Sequence, residues 1–279
     1  MSIWQAIVLG LTQGASEYAP ISSSGHLVLV PWLFGWTIVQ DADLSKTFDV
    51  ALHMGTLVGA FVYFRHDIAR YLAAWWRSLR ARRIVTTDER LAWALVIGTI
   101  PAVIAGATFE RAIQEDLTQP WLIAVMLAVF AVVLWAVDRW AAMTRDFDSI
   151  GVRTGLYLGT AQALALQPGI SRSGVTMTAA RMIGLDRTAA ARFSFLLSMP
   201  VVFGAGVFKA GDVLSGGMSG YEAEFVAGFV ASALSGFAVI AFLLRYLRGH
   251  SFAIFLWYRL GVAALSLALI ASGARPATI

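Results

Sequence analysis

Ala19-Pro20-Ile21-Ser22-Ser23-Ser24-Gly25-His26 interrupts an apolar stretch that runs from residue 3 to 35. Gln167-Pro168-Gly169-Ile170-Ser171-Arg172-Ser173-Gly174 interrupts a second, from 151 to 180. Proline stops a helix at the residue before it, and serine starts the next one. Each stretch therefore predicts two helical arms joined by a broken tip. Broken backbone at membrane depth survives only inside protein or against a wet cavity. The two tips are thus where polar chemistry is expected.

The rest of the chain sets these tips in a bilayer. Of 279 residues, 58% are hydrophobic and 14% charged, with mean hydropathy +0.71. A soluble domain carries about 25% charged residues. Six further apolar stretches, 48–64, 91–108, 121–137, 193–208, 225–244 and 252–272, are long enough to cross a hydrocarbon core. The absence of Cys excludes disulfides, iron–sulfur clusters and thiolate zinc sites. The net charge of +4 fits basic cytoplasmic loops better than nucleic-acid binding. No signal peptide is expected, since the first charged residue is Glu17 and a signal begins with a basic region.

Charge then orients the spans. Arg65, Arg70, Arg77, Arg80, Arg82, Arg83 and Arg90 place a 65–90 loop in the cytoplasm. Glu110, Glu115 and Asp116 place 109–120 outside, and Asp212, Glu222 and Glu224 do the same for 209–224. Loop 138–153 returns inside by parity, and Arg245 and Arg248 hold 245–251 inside. Segment 151–180 then starts and ends inside, so it is re-entrant. By the same count 37–47 is outside, and 3–35 is the matching hairpin from the outer face.

The halves also repeat. At an offset of 149, Leu9, Gly10, Gln13, Ile21, Ser22, Ser24 and Gly25 match Leu158, Gly159, Gln162, Ile170, Ser171, Ser173 and Gly174. At 145, Leu52, Met54, Gly59 and Ala60 match Leu197, Met199, Gly204 and Ala205. One hairpin and three spans per half turn the second copy upside down. The expected fold is an all-α polytopic membrane protein with six transmembrane helices, two re-entrant helix-loop-helix hairpins and an inverted-topology internal repeat. Residues 1–279 form one membrane domain, with a first repeat over 1–140 and a second over 150–274.

Polar groups at depth are functional candidates. Gln13 and Glu17 lie four apart on one helical face, and a carboxylate beside a carboxamide suits a hard divalent cation. The plainer reading of Glu17 is an interfacial, hydrogen-bonded carboxylate. Ser22 and Ser24 cap the second arm or contact an anion there, because a helix start offers free N–H groups. Ser23 is the better candidate for attack on phosphate or direct contact with it. His26, one turn on, can serve as base or acid. Arg172 is the natural bidentate partner of a phosphate, or else the internal partner of Glu17. Ser171 and Ser173 add donors, and Gly169 and Gly174 let backbone approach closely. Asp49 and His53 form a second shell or pack structurally. Trp32, Trp75, Trp76, Trp140 and Trp257 are expected at the membrane interfaces.

At these residues the sequence resembles the undecaprenyl-diphosphatase family of the bacitracin-resistance type. Gln13-Gly-Ala-Ser-Glu17 with Pro20-Ile-Ser-Ser-Ser-Gly-His26 is similar to its first signature, and Pro168 to Gly174 to its second. Phe48 to Thr56 and Ala191 to Pro200 also look like family segments. The resemblance implies hydrolysis of undecaprenyl diphosphate to undecaprenyl phosphate and inorganic phosphate, recycling the lipid carrier of cell-wall synthesis and conferring bacitracin resistance. It implies Glu17, Ser23, His26 and Arg172 as catalytic residues. Ser22, Ser24, Gly25, Ser171, Ser173 and Gly174 are expected to bind substrate, and Glu17 with Gln13 to hold Mg²⁺ or Ca²⁺. Many members carry Glu where Gln13 stands, so metal affinity is the property expected to differ. The implied location is the bacterial inner membrane with the site facing the periplasm. The expected partners are a polyprenyl diphosphate lipid and the bilayer, without nucleic acid, and homodimerisation is left open. The rival reading is a transporter or flippase of a lipid phosphate or other anion, which needs the anion clamp but not Ser23 and His26 together.

Overall fold

The computed structural model describes the backbone of residues 1–36, 42–214 and 220–278, and their side chains except at 42–43, 109–116 and 208–214. The described residues form ten α-helices: α1 Ile3–Tyr18, α2 Ser23–Phe34, α3 Ala42–Ala81, α4 Thr87–Asp116, α5 Pro120–Trp140, α6 Val152–Ala163, α7 Arg172–Met182, α8 Arg187–Leu214, α9 Glu222–Tyr246 and α10 Ala253–Ala271. Six helices, α3, α4, α5, α8, α9 and α10, are long and apolar enough to cross a membrane. Five of them contain one of the stretches expected to span, and α10 covers 252–272 except for its two end residues. The protein is a multi-pass, all-helical membrane protein.

The remaining four helices form two short pairs, α1 with α2 and α6 with α7. α1 stops at Tyr18, and Ala19 is extended (φ −65°, ψ 141°) as the following proline requires. The pairs dock crosswise: α1 packs on α9, and α6 packs on α4. Small residues allow that approach. A Cβ on Gly14 would lie 2.6 Å from the Ser232 carbonyl oxygen, and one on Gly159 would strike the Gly98 carbonyl.

Three details differ from the sequence reading. Residues 65–81 are not loop but the end of α3, which has 40 residues and is about 60 Å long. The segment holds no Gly or Pro, and Ala, Leu and Arg favour helix whatever their charge. Its charges pair with neighbouring helices, Arg70 with Asp88 at 3.5 Å and Asp67 with Arg192 at 2.7 Å. Secondly, Trp32 is buried between α2, α5 and α10, with its indole N–H on the Pro276 carbonyl (3.0 Å), and Trp75 packs against Trp93. Trp76, Trp140 and Trp257 are exposed, as a membrane belt requires. Thirdly, α4 runs on to Asp116 and α8 to Leu214, so the expected outer loops are shorter. Residues 37–41 and the side chains of Glu110, Glu115, Asp116 and Asp212 lie outside the described residues.

At the other end of α7, Arg181 is fully buried. It pairs with Asp138 (3.0 Å) and donates to the carbonyls of Ala141, Ala142 and Leu185. Asp138 also takes Arg187 (2.8 Å) and the Phe252 N–H (3.3 Å). This cluster ties α5, α7, α8 and the start of α10 together, away from the tips.

Candidate active site

The two breaks meet. Ser22 and Ser171 are each the residue before a helix, at nearly the same left-handed backbone angle, φ 74° and 78°. Each hydroxyl caps its own helix, Ser22 Oγ accepting from the Gly25 N–H (3.3 Å) and Ser171 Oγ from the Gly174 N–H (3.1 Å). Ser22 Oγ also accepts the Gly169 N–H (3.0 Å), and Ser173 Oγ donates to the Ala19 carbonyl (3.1 Å), so each tip holds the other. Gly169 has φ 97°, and a Cβ there would sit 2.7 Å from the Ile123 carbonyl oxygen. Only glycine fits both demands. Two helix starts, with their unpaired N–H groups and positive dipole ends, thus converge on one point.

Glu17 is the hub at that point. It is nearly buried and engages groups from four segments. Oε1 pairs with the Arg172 guanidinium across the tip–tip contact. Oε2 accepts from Gln13 Nε2 at 2.9 Å and from Ser23 Oγ at 2.6 Å, and His53 Nε2 lies 3.6 Å away. Expected residues Gln13, Glu17 and Ser23 therefore form one cluster with Arg172, which comes from the other half of the chain. Ser24 sits half-buried in the first turn of α2, and Gly25, Ser173 and Gly174 are buried at the two helix starts.

His26 is not brought onto Ser23. Its Nδ1 donates to the Ser22 carbonyl (2.8 Å), which fixes the tautomer, and Nε2 is 2.9 Å from the Tyr258 hydroxyl, with the two rings stacked. Both residues line an open cavity of about 320 Å³ whose other walls include Leu11, Ala15, Ile21 and Val30. His53 does reach the hub. Its Nδ1 donates to the Asp49 carbonyl (2.8 Å), leaving Nε2 to face Glu17. The i, i+4 spacing of Asp49 and His53 was the signal for it. The sequence reading passed over Arg259, a fully buried cation beneath both tips. Its signal was a lone charge inside the apolar stretch 252–272.

The residues present fit a divalent cation. Gln13 Oε1 is buried beside the Glu17 carboxylate and has no hydrogen-bond partner among the described residues. An orphaned carbonyl oxygen next to a carboxylate is a ready pair of hard ligands. No group of three or more His, Asp or Glu among the described residues could hold a metal alone. Gln13 and Glu17 alone would leave a divalent cation's shell incomplete, and Mg²⁺ commonly keeps several waters.

Fold and site define a class: a multi-pass helical membrane protein whose polar, ion-paired centre lies where two broken helix pairs meet. Within that class the chain belongs to the bacitracin resistance protein BacA family, whose model matches residues 6–265. A relative from Pelotomaculum thermopropionicum, named undecaprenyl-diphosphatase, is 45% identical over 272 residues and covers 98% of each chain. One of the same name from Gemmatimonas aurantiaca is 42% identical over 98% of this chain and 99% of its own. A third, from Thermomicrobium roseum, is 41% identical over 99% of this chain and all of its own.

Proposed function

We propose that this protein is an undecaprenyl-diphosphate phosphatase, hydrolysing the lipid diphosphate to undecaprenyl phosphate and inorganic phosphate within the bilayer. One observation carries the reading: Arg172, Ser23 and Glu17, an anion clamp, a hydroxyl and its acceptor, share one contact across two broken tips. A transporter needs the clamp alone.

Arg172 and the N–H groups at the starts of α2 and α7 bind the terminal phosphate and neutralise its charge. Ser23 already commits its proton to Glu17 Oε2 and so presents its oxygen lone pairs to phosphorus. The Ser23 oxygen bonds to the terminal phosphorus as the anhydride bond to the lipid phosphate breaks, and the proton passes to Glu17. Water then attacks that phosphorus as the bond from the Ser23 oxygen to it breaks; Glu17 returns the proton to Ser23, and inorganic phosphate leaves with the protons of the water. Glu17 and Gln13 are the residues that would hold Mg²⁺ or Ca²⁺, which supplies further charge neutralisation on the diphosphate when bound. His26, held by Tyr258 at the edge of the cavity, is the proton carrier on the lipid side, and the apolar cavity walls suit the first isoprene units.

The two short pairs act as re-entrant hairpins of an inverted repeat. The matched φ values at Ser22 and Ser171 and the reciprocal docking of α1 on α9 and α6 on α4 support that arrangement. The site then opens to the periplasmic side of the inner membrane.

The test is phosphate release from a long-chain prenyl diphosphate by purified protein in detergent, with and without EDTA, beside Glu17→Ala. Release that needs metal and is lost in the variant is expected. Folded protein that releases no phosphate with any divalent metal refutes the hydrolase and points to lipid flux in vesicles as the next assay. Acid quenching of substrate labelled at the terminal phosphate should trap label on Ser23. Label that never reaches the protein during turnover makes Ser23 a phosphate ligand instead.

A further inference from the structure

Arg259 in α10 is fully buried and has no carboxylate within ion-pair distance among the described residues. A guanidinium out of water is costly unless its donors are filled. Here they are filled by main-chain carbonyls only. Nη1 donates to Pro20 (3.1 Å), and Nη2 to Gly169 (2.9 Å) and Ile170 (3.3 Å), so one side chain grips both tips. Nε donates to Leu127 (3.0 Å), and Nη2 reaches Met126 (3.5 Å), anchoring the fork to α5.

Those tip carbonyls belong to the backbone just before Ser22 and Ser171, both held at positive φ. A trans peptide points its N–H opposite to its carbonyl. Drawing the Ile170 carbonyl onto Arg259 therefore turns the Ser171 N–H away from α10. Neither serine would keep a left-handed angle unless its surroundings imposed it. Arg259 holds the backbone before both serines at once, and its Nε bond to Leu127 on α5 ties that grip to a third segment.

We infer that Arg259 is a positioning residue, holding the two tips in the register that brings Ser23, Glu17 and Arg172 together. The inference rests on the hydrolase reading for its effect on turnover, but not for its effect on anion binding. The planar fork is what spans carbonyls from three segments, so the charge alone does not suffice.

The experiment compares wild type with Arg259→Lys and Arg259→Gln, measuring kcat and KM for a long-chain prenyl diphosphate, affinity for inorganic pyrophosphate, and the fraction folded. In both variants kcat per folded molecule should fall about a hundredfold, as a misplacement near 1 Å can produce. Pyrophosphate affinity should weaken by about tenfold, leaving the larger loss in kcat. Wild-type kcat in folded Arg259→Lys, or a loss confined to KM, overturns the inference. If wild type itself releases no phosphate, the hydrolase reading has failed, and unchanged pyrophosphate affinity in both folded variants would separately overturn the role of Arg259. Should neither variant fold, Gly169→Ala reads the same contact from the acceptor side, because the added Cβ at the Ile123 carbonyl forces the Gly169 carbonyl off the fork. It should show the same fall in kcat, and wild-type turnover in that folded variant also overturns the inference.

Discussion

Glu17 has four neighbours that donate or can carry positive charge, so each changes the hub in its own way. Removing Arg172 leaves the carboxylate without its ion pair and, on the proposed reading, the phosphate without its bidentate donor. Arg172→Ala should cost about 10³-fold in kcat, in the range for loss of a charged transition-state donor, and phosphate release from purified protein measures it. Arg172→Lys should recover little of this, because a point charge cannot replace the planar fork. Gln13 works in the other direction. Its Oε1, without a partner among the described residues, would be one neutral ligand on the proposed reading, and Gln13→Glu adds a negative charge beside Glu17. The Mg²⁺ concentration giving half-maximal activity should therefore fall, and a metal titration reads it directly. An unchanged or raised value would remove Gln13 from the metal shell. Gln13, Glu17, Ser23 and Arg172 were legible because polar side chains are rare in apolar stretches and these flank the breaks. The partners of His26 were not, since Tyr258 lies 232 residues away and no spacing rule reaches that far.

On the scale of helices, the small residues are what allow the broken pairs to sit inside the bundle. Gly14 meets α9 and Gly159 meets α4 so closely that neither has space for a β-carbon. Gly14→Val and Gly159→Val should each destabilise the protein by about 1–3 kcal/mol, the usual cost of overpacking, seen as a lower melting temperature in detergent. If the halves are related copies, the two losses should be similar. Melting temperatures at the wild-type value for either variant would mean that the helices part without cost. The breaks that make these pairs short were visible in the chain, because Pro20, Pro168 and the serines stop one helix and cap the next. The length of α3 was not visible. Its basic half has the composition of a loop by charge but of a helix by backbone preference, and the second property decides where both compete.

For the whole molecule, the arrangement of charge predicts a direction across the membrane that the helices alone do not. By the charge rule the seven arginines between 65 and 90 mark one side, and Arg245 and Arg248, with the single span α10 after them, mark the same side. The turn around Arg83 and the turn at Gly249 should then both face the cytoplasm, while Ser272, beyond α10, faces the periplasm. The chain has no cysteine, so a single introduced Cys reports its own position without a background. All three sites are exposed and distant from the tips, so the variants should keep wild-type phosphate release. A membrane-impermeant thiol reagent should label Ser272→Cys in intact spheroplasts, and label Arg83→Cys and Gly249→Cys only after the membrane is opened. Labelling of Arg83→Cys in intact spheroplasts would invert the molecule. The first hairpin, entered from the side of Ser272, would then open to the cytoplasm, and the enzyme would act on lipid diphosphate in the inner leaflet. Labelling of Arg83→Cys and Gly249→Cys from opposite sides would break the count of spans between them, and with it the inverted repeat, while the contact of Glu17 with Arg172 would stand unaffected.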